Sequence, residues 1–228
     1  VAGFVGELFY PINKNSLAIV RNHKKRIGIY GGTFNPIHVG HLQIASTVIE
    51  RGIVDEVWLM ISPLNPFKQG TDDILPDADR LLLATKALDG NERIKASDYE
   101  FHLPIPSYTW NTLQHLSREF TDCEFVLVIG ADNWTSFPRW KNYQDIIANY
   151  QIVVYPRNGH DIDAATLPQG VTLIDMPLIN VSSTDIRQRI AHRRSIKKLV
   201  PPAIIDDCKR LYRQNKNVND NDNVNQES

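Results

Sequence analysis

Apolar and polar positions alternate in two rhythms along this chain. Arg26-Ile27-Gly28-Ile29-Tyr30 is a short β-prone run that stops at the Gly31-Gly32 pair, as a buried parallel strand does. From Val39 to Glu50 the spacing becomes helical: Leu42, Ile44, Ala45, Val48 and Ile49 share one side, and Gly52 stands just past the end as a stop. Val57 to Ile61 reads as a strand, Asp77 to Leu88 as a helix that Asp77 can cap, and Thr109 to Phe120 as another helix. Phe125 to Ile129 and Gln151 to Tyr155 have the length and apolarity of strands, and Val171 to Ile174 is a weaker one. Ser183 to His192 and Ala203 to Tyr212 are helical. Strands alternating with helices predict an α/β fold: a Rossmann-like open, mostly parallel sheet with helices on both faces.

Three segments fall outside this alternation. Ser62 to Pro76 contains Pro63, Pro66, Gly70 and Pro76 and exceeds the usual βα connection, which marks it as a candidate functional loop. Residues 214–228, dominated by Asn, Asp, Val and Gln, lack an apolar face and are expected to be a disordered tail. Val1 to Lys25 is expected to be a flexible N-terminal extension and receives no function. Its apolar start precedes its basic residues, the reverse of a secretory signal. Residues 26–213 remain as one domain, and one active site is expected of it.

Composition narrows the partners. The 25 Lys and Arg against 26 Asp and Glu leave a formal charge of -1, so no overall positive field gathers nucleic acid or an anionic membrane. Phosphate binding must then be local. No apolar run approaches the roughly 20 residues that span a bilayer. Cys123 and Cys208 lie in no metal-ligand or redox spacing, and a reduced, cytoplasmic protein is the expectation. A homo-oligomer is compatible with all of this.

The chemistry concentrates in Gly31-Gly32-Thr33-Phe34-Asn35-Pro36-Ile37-His38-Val39-Gly40-His41-Leu42. A loop between a parallel strand and the next helix opens at the sheet edge where such folds bind ligands. Gly31 and Gly32 let the backbone approach a phosphate, and the N–H groups at the start of the helix attract its charge. His38 and His41 project from one end of that helix and can both donate to one phosphate whose charge grows in a transfer reaction. A lone histidine is usually solvated; here strand, paired glycines, Thr33, Pro36 and the His-x-Gly-His spacing coincide. No Glu stands between the histidines to make the zinc-protease pattern and no third ligand is evident, so no protein-held metal is expected. A second anion site is written in Asn180-Val181-Ser182-Ser183-Thr184-Asp185-Ile186-Arg187, where three hydroxyls open a helix and Arg187 follows one turn inside.

The first string resembles the (T/H)-x-G-H signature of the adenylyltransferase and cytidylyltransferase superfamily, and the second its I-S-x-T-x-x-R signature, with Val181 in place of Ile. Pro106-Ser107-Tyr108-Thr109, Gly130-Ala131-Asp132-Asn133 with Phe137-Pro138-Arg139-Trp140, and Tyr155-Pro156-Arg157-Asn158-Gly159 extend the likeness to the bacterial nicotinate-nucleotide adenylyltransferases over Ile27 to Tyr212. The resemblance implies transfer of AMP from ATP to nicotinic acid mononucleotide, giving deamido-NAD and pyrophosphate, with Mg²⁺ carried mainly by the ATP phosphates. It implies His38, His41 and Arg187 as catalytic residues. Gly31, Gly32, Thr33, Phe34, Gly130, Asp132, Ser182, Ser183 and Thr184 fall to ATP. Lys68, Thr109, Trp140, Lys141 and Arg157 fall to the acceptor. Trp140 offers a flat face to a cationic pyridine ring, a contact of order 1 kcal/mol. Thr109 and the backbone near Lys141 would take the ring carboxylate, and Asp132 a ribose hydroxyl or Mg²⁺. Trp58, Trp110 and Trp134 read as packing residues. The family's Pro-His-Lys is Pro66-Phe67-Lys68 here, which keeps the cation and loses the imidazole. Nicotinamide mononucleotide, phosphopantetheine and polyol phosphates are alternative acceptors that the first motif alone allows, and a nucleotide sensor without turnover is a further alternative.

Overall fold

The computed structural model describes residues 24–63 and 74–224, with side chains through residue 214. The expectations for residues 1–23 and for Phe67 and Lys68 therefore lie outside the described residues. Six strands form one parallel sheet: β1 (Lys25–Gly32), β2 (Glu56–Ile61), β3 (Ile94–Ser97), β4 (Cys123–Gly130), β5 (Gln151–Tyr155) and β6 (Val171–Leu173). Their spatial order is β3-β2-β1-β4-β5-β6. Seven helices connect them: α1 (Val39–Glu50), α2 (Asp77–Ala87), α3 (Thr109–Glu119), α4 (Ala131–Ser136), α5 (Tyr143–Asn149), α6 (Ser183–Ala191) and α7 (Ile205–Val224).

The period of two in each strand sorts the core into two layers. Tyr30, Leu59, Val126, Val128 and Val153 point to one face and pack with buried residues of α1, α2, α6 and α7. Ile29, Met60, Leu127, Ile129 and Val154 point to the other and pack with Leu113 and Leu116 of α3 and Ile146 of α5. Burial on both faces explains why the central strands read as continuous apolar runs rather than alternating ones.

Four details depart from the pattern along the chain. Both glycines belong to β1, paired with Met60 and Ile61 of β2, rather than to the loop after it. Edge strand β3 has only four residues, Ile-Lys-Ala-Ser, too few to announce a period. Asp77 does not cap α2; Pro76 takes that position, and Asp77 instead accepts a hydrogen bond from buried Arg80. Helix α7 runs to Val224, past its expected end near Tyr212 and into the segment for which the sequence predicts no order. Its first turns are anchored by Cys208, Leu211 and Tyr212 in the core.

The strand order places a topological switch between β1 and β4, where neighbouring connections leave in opposite directions. Pairing between these strands ends at Ile29 with Leu127, whereas β4 stays paired with β5 as far as Gly130 with Tyr155. The sheet therefore opens beyond Ile29, and the functional site sits in that opening.

Candidate active site

Helix α1 begins beside the opening with His38 as its extended N-cap residue. The His38 N–H donates to Nδ1 of His41 at 3.2 Å, and the two rings stack at 3.6 Å between centroids. With Nδ1 an acceptor, neutral His41 carries its proton on Nε2, so it can donate to a ligand. His38 is only 5% exposed, and burial together with nearby Arg157 pushes its pKa down to about 4. It is neutral near pH 7, and its buried Nδ1 has no hydrogen-bond partner among the described residues. The stack is held from behind by Phe34, whose ring meets His41 edge-on at 4.9 Å, and by Tyr30 at 6.1 Å. Phe34 reaches this place from a left-handed backbone conformation, φ 47°, a strain that a bulky residue tolerates where surrounding packing demands it.

Glycine is required within the His-x-Gly-His spacing by close approach. A Cβ on Gly40 would lie 2.7 Å from Ile179 Cγ2 and 3.0 Å from His38 Nδ1. Ile179 belongs to the segment that leads into the second motif, so the two motifs meet at this point.

They also meet through hydrogen bonds. Ser183 Oγ donates to the Pro36 carbonyl at 3.0 Å, and Arg187 Nη1 donates to the Asn35 carbonyl at 3.0 Å. Ser182 caps α6 by accepting from the Asp185 N–H at 3.1 Å. The Ser183 hydroxyl and one arm of Arg187, both expected at phosphates, join α6 to the first loop through these bonds. Arg187 Nε is buried without a hydrogen-bond partner among the described residues, and Nη2 reaches Thr184 Oγ1 at 3.4 Å.

Sequence reasoning missed the support beneath this loop. Arg80 is fully buried and donates from Nε to the Leu75 carbonyl at 3.0 Å and from Nη1 to the Thr33 carbonyl at 2.7 Å. The Asn35 side-chain oxygen accepts from the Leu75 N–H at 3.0 Å and from the Tyr212 hydroxyl at 2.7 Å. Arg80 is one of four charged residues in α2 and nothing in the sequence singles it out; two of its partners are main-chain carbonyls, which have no sequence signature.

Two depressions open near the loop and the second motif. One is lined by Gly31, Gly32, Thr109, Trp140 and Lys141, and also by Ser62, Glu100, Ser107 and Thr112. It lies between β1 and β4 and takes in the start of α3, which has no side-chain cap and no acidic residue in its first turn. Such a helix start favours an anion. Gly31 faces this space: a Cβ there would meet nothing within 4 Å and would project into the cleft. Trp140 leans on Phe137 at 5.1 Å, its buried Nε1 has no hydrogen-bond partner among the described residues, and Lys141 Nζ lies 4.7 Å over the Tyr108 ring. Trp58, Trp110 and Trp134 pack on Phe120 and Phe125, on Tyr150, and on Phe137.

The other depression is lined by Asp132, Asn158, Asn180, Ser182 and Arg157, and Arg157 also borders the small gap beside His38 and His41. Arg157, which the resemblance assigns to the acceptor, thus lies beside the histidines and the second motif. Its Nε stands 3.5 Å from Asp132 Oδ1, and its guanidinium lies over the Tyr155 ring at 5.4 Å. Gly130 ends β4, and Asp132 follows Ala131 in the first turn of α4. Beneath them the buried hydroxyls of Tyr30 and Tyr155 share a 3.1 Å hydrogen bond. Among the described residues no group of three or more His, Cys, Asp or Glu is arranged to hold a metal ion, and no helix is long and apolar enough to cross a membrane.

Comparison with known proteins agrees with this arrangement. The family model described as cytidylyltransferase-like matches residues 29–189. A protein of Bacteroides fragilis named "Probable nicotinate-nucleotide adenylyltransferase" is 43% identical over 195 residues, covering 86% of this chain and 95% of its own. One of the same name from Flavobacterium psychrophilum is 45% identical over 181 residues, covering 78% and 93%. In structure, the nicotinic acid mononucleotide adenylyltransferase of Plasmodium falciparum, solved in complex with NaAD, superposes with a TM-score of 0.68 at 21% identity, covering 80% of this chain and 93% of that one. Its low identity supports the fold alone. Strand order, the paired phosphate motifs and these relatives together establish that the chain belongs to the nicotinate-nucleotide adenylyltransferase family of cytidylyltransferase-like proteins.

Proposed function

We propose that this protein transfers AMP from ATP to nicotinic acid mononucleotide, releasing pyrophosphate and forming deamido-NAD. The observation that carries the reading is the His38–His41 stack together with two sites at the sheet opening: an aromatic, anion-favouring cleft and a polar groove at the second motif. In the reaction the mononucleotide phosphate attacks the α-phosphorus of ATP in line. A new P–O bond forms, the α–β bridge breaks, and its electron pair leaves with pyrophosphate. His41 donates from Nε2 to the α-phosphate as its charge rises, with His38 holding it in place and neutral itself. Thr184, the start of α6 and the remaining N–H groups of Arg187 face the β and γ phosphates. Arg157, paired with Asp132, serves the ATP side rather than the acceptor. Thr109, Trp140 and Lys141 hold the pyridine ring and its carboxylate, and Lys68 is proposed for the acceptor phosphate. A phosphate nucleophile is already ionised near neutral pH and needs no general base.

Mg²⁺ fits the donor set as a companion of the triphosphate, with Asp132 the carboxylate beside that path. Bound there, it would neutralise phosphate charge.

Pyrophosphate release from ATP and Mg²⁺ is measured with nicotinic acid mononucleotide, nicotinamide mononucleotide, phosphopantetheine and glycerol phosphate as acceptors. The acid mononucleotide is expected to exceed the others by at least about tenfold. Equal rates with acid and amide would refute the carboxylate role of the α3 start. Binding of ATP and mononucleotide without pyrophosphate would favour a sensor.

A further inference from the structure

Glu100 lines the cleft that holds Trp140, yet none of the motifs contains it. It sits in a 3₁₀ turn, Tyr99–His102, between β3 and α3, and is 6% exposed. Ser62 Oγ, just past β2, donates to its Oε2 at 2.7 Å, and Thr112 Oγ1, one turn into α3, donates to its Oε1 at 2.8 Å. Each carboxylate oxygen thus accepts a hydroxyl hydrogen, the pattern that suits the ionised form. Among the described residues no Lys, Arg or His forms an ion pair with it, in contrast to Glu56, which is bound by both Lys25 and Lys95. A buried carboxylate without a cation is costly, and the cost falls when a ligand brings one. Arg139 and Lys141 line the same cleft. A binding surface of one carboxylate, two cations and an aromatic face matches a ligand that joins a cationic ring to anionic groups.

We propose that Glu100 is a specificity-determining residue: its carboxylate is the counter-charge that selects a positively charged, N-alkylated aromatic ring over a neutral ring of the same shape. The inference rests on the acceptor assigned above and adds a determinant distinct from the Trp140 face. The cation–π contact rewards the ring charge from one side. Glu100 rewards it through a fixed, partly desolvated charge, whose attraction weakens only slowly with distance at low effective dielectric. It also makes the ring's charge state, rather than its outline alone, part of what the cleft reads.

The test compares two acceptors, nicotinic acid mononucleotide and the carbon-linked 3-carboxyphenyl riboside 5′-phosphate, whose ring is flat, carboxylated and uncharged. Equilibrium binding and kcat/KM are measured for each with wild type, Glu100→Gln and Glu100→Asp, with the KM for ATP recorded throughout. Glutamine keeps the length and can still meet both hydroxyls; aspartate keeps the charge. The preference for the cationic ring is expected to fall about tenfold in Glu100→Gln, the size of a partly screened charge interaction, with the KM for ATP unchanged. Glu100→Asp is expected to retain most of the preference even if both acceptors bind more weakly. Glu100→Met provides the same charge deletion should the glutamine variant not fold. A preference unaltered in the neutral variants, or equal losses for both acceptors, overturns the proposal by reducing Glu100 to a brace for Ser62 and α3. A wild type that binds neither acceptor overturns it as well, and failure to release pyrophosphate despite intact binding of the cationic acceptor sinks only the functional reading.

Discussion

Replacing Gly40 by alanine tests whether α1 and the segment before α6 share one close-packed joint at the histidine pair. Two effects oppose each other. Alanine is the better helix former by about 1 kcal/mol. Its Cβ, however, would lie 2.7 Å from Ile179 Cγ2 and 3.0 and 3.1 Å from Nδ1 and Cε1 of His38. Normal contact is about 3.5–4 Å, so Ile179 must retreat by roughly 1 Å. A β-branched methyl cannot swing aside without changing rotamer, and overpacking of this kind costs roughly 1–3 kcal/mol. The net loss of stability is then about 0–2 kcal/mol. The catalytic loss is larger. Any relief taken at His38 displaces His41 too, because the rings stack at 3.6 Å. Misplacement of about 1 Å in a catalytic group can cost about 100-fold. Urea unfolding is therefore expected to show a small decrease in midpoint, while pyrophosphate release shows kcat reduced about 10- to 100-fold. Adding Ile179→Ala removes Cγ2 but leaves the His38 contact, so stability recovers more than activity does. A Gly40→Ala enzyme with kcat within about twofold of wild type would refute the reasoning.

Other outcomes follow from the same network. Burial and Arg157 hold the folded-state pKa of His38 at about 4 against an ordinary 6.5, so its neutral form stabilises the fold fully above pH 6.5 and the contribution is lost as pH falls toward 4. The ceiling is roughly 3 kcal/mol, and urea titrations across that window should show a shallower pH dependence for His38→Asn than for wild type. Equal slopes would contradict it. Arg80→Met leaves the Thr33 and Leu75 carbonyls without their donor and should cost roughly 3–5 kcal/mol in chemical denaturation, as loss of a buried charged partner does. Tyr212→Phe deletes one buried hydrogen bond to Asn35, and a loss of about 1 kcal/mol is expected in thermal unfolding.

The central strands and their helices were legible because burial on both faces leaves long apolar runs, and the helices that cover them show a separate period. β3 was not, since four residues at a sheet edge carry too little pattern, and α4 and α5 are too short to show one. The glycine loop and the hydroxyl-rich helix start were legible because phosphate binding needs particular residue types at short spacing. The grouping of Arg157 was not: it follows β5, and only the sheet order sets that strand's end beside Asp132 and the histidines rather than beside Trp140.

By itself, then, the chain's pattern determined a mostly parallel α/β sheet, through apolar runs spread along its whole length, and drew attention to His38, Gly40 and His41 within a dozen consecutive residues. Only the tertiary structure decided that Ser183 and Arg187 join the two motifs, that Arg80 and Tyr212 hold the loop from below, and that Glu100 stands uncompensated by a described cation in the cleft beside Trp140. These contacts link residues as far as 177 positions apart and often end on backbone carbonyls, which carry no residue identity for a sequence to display.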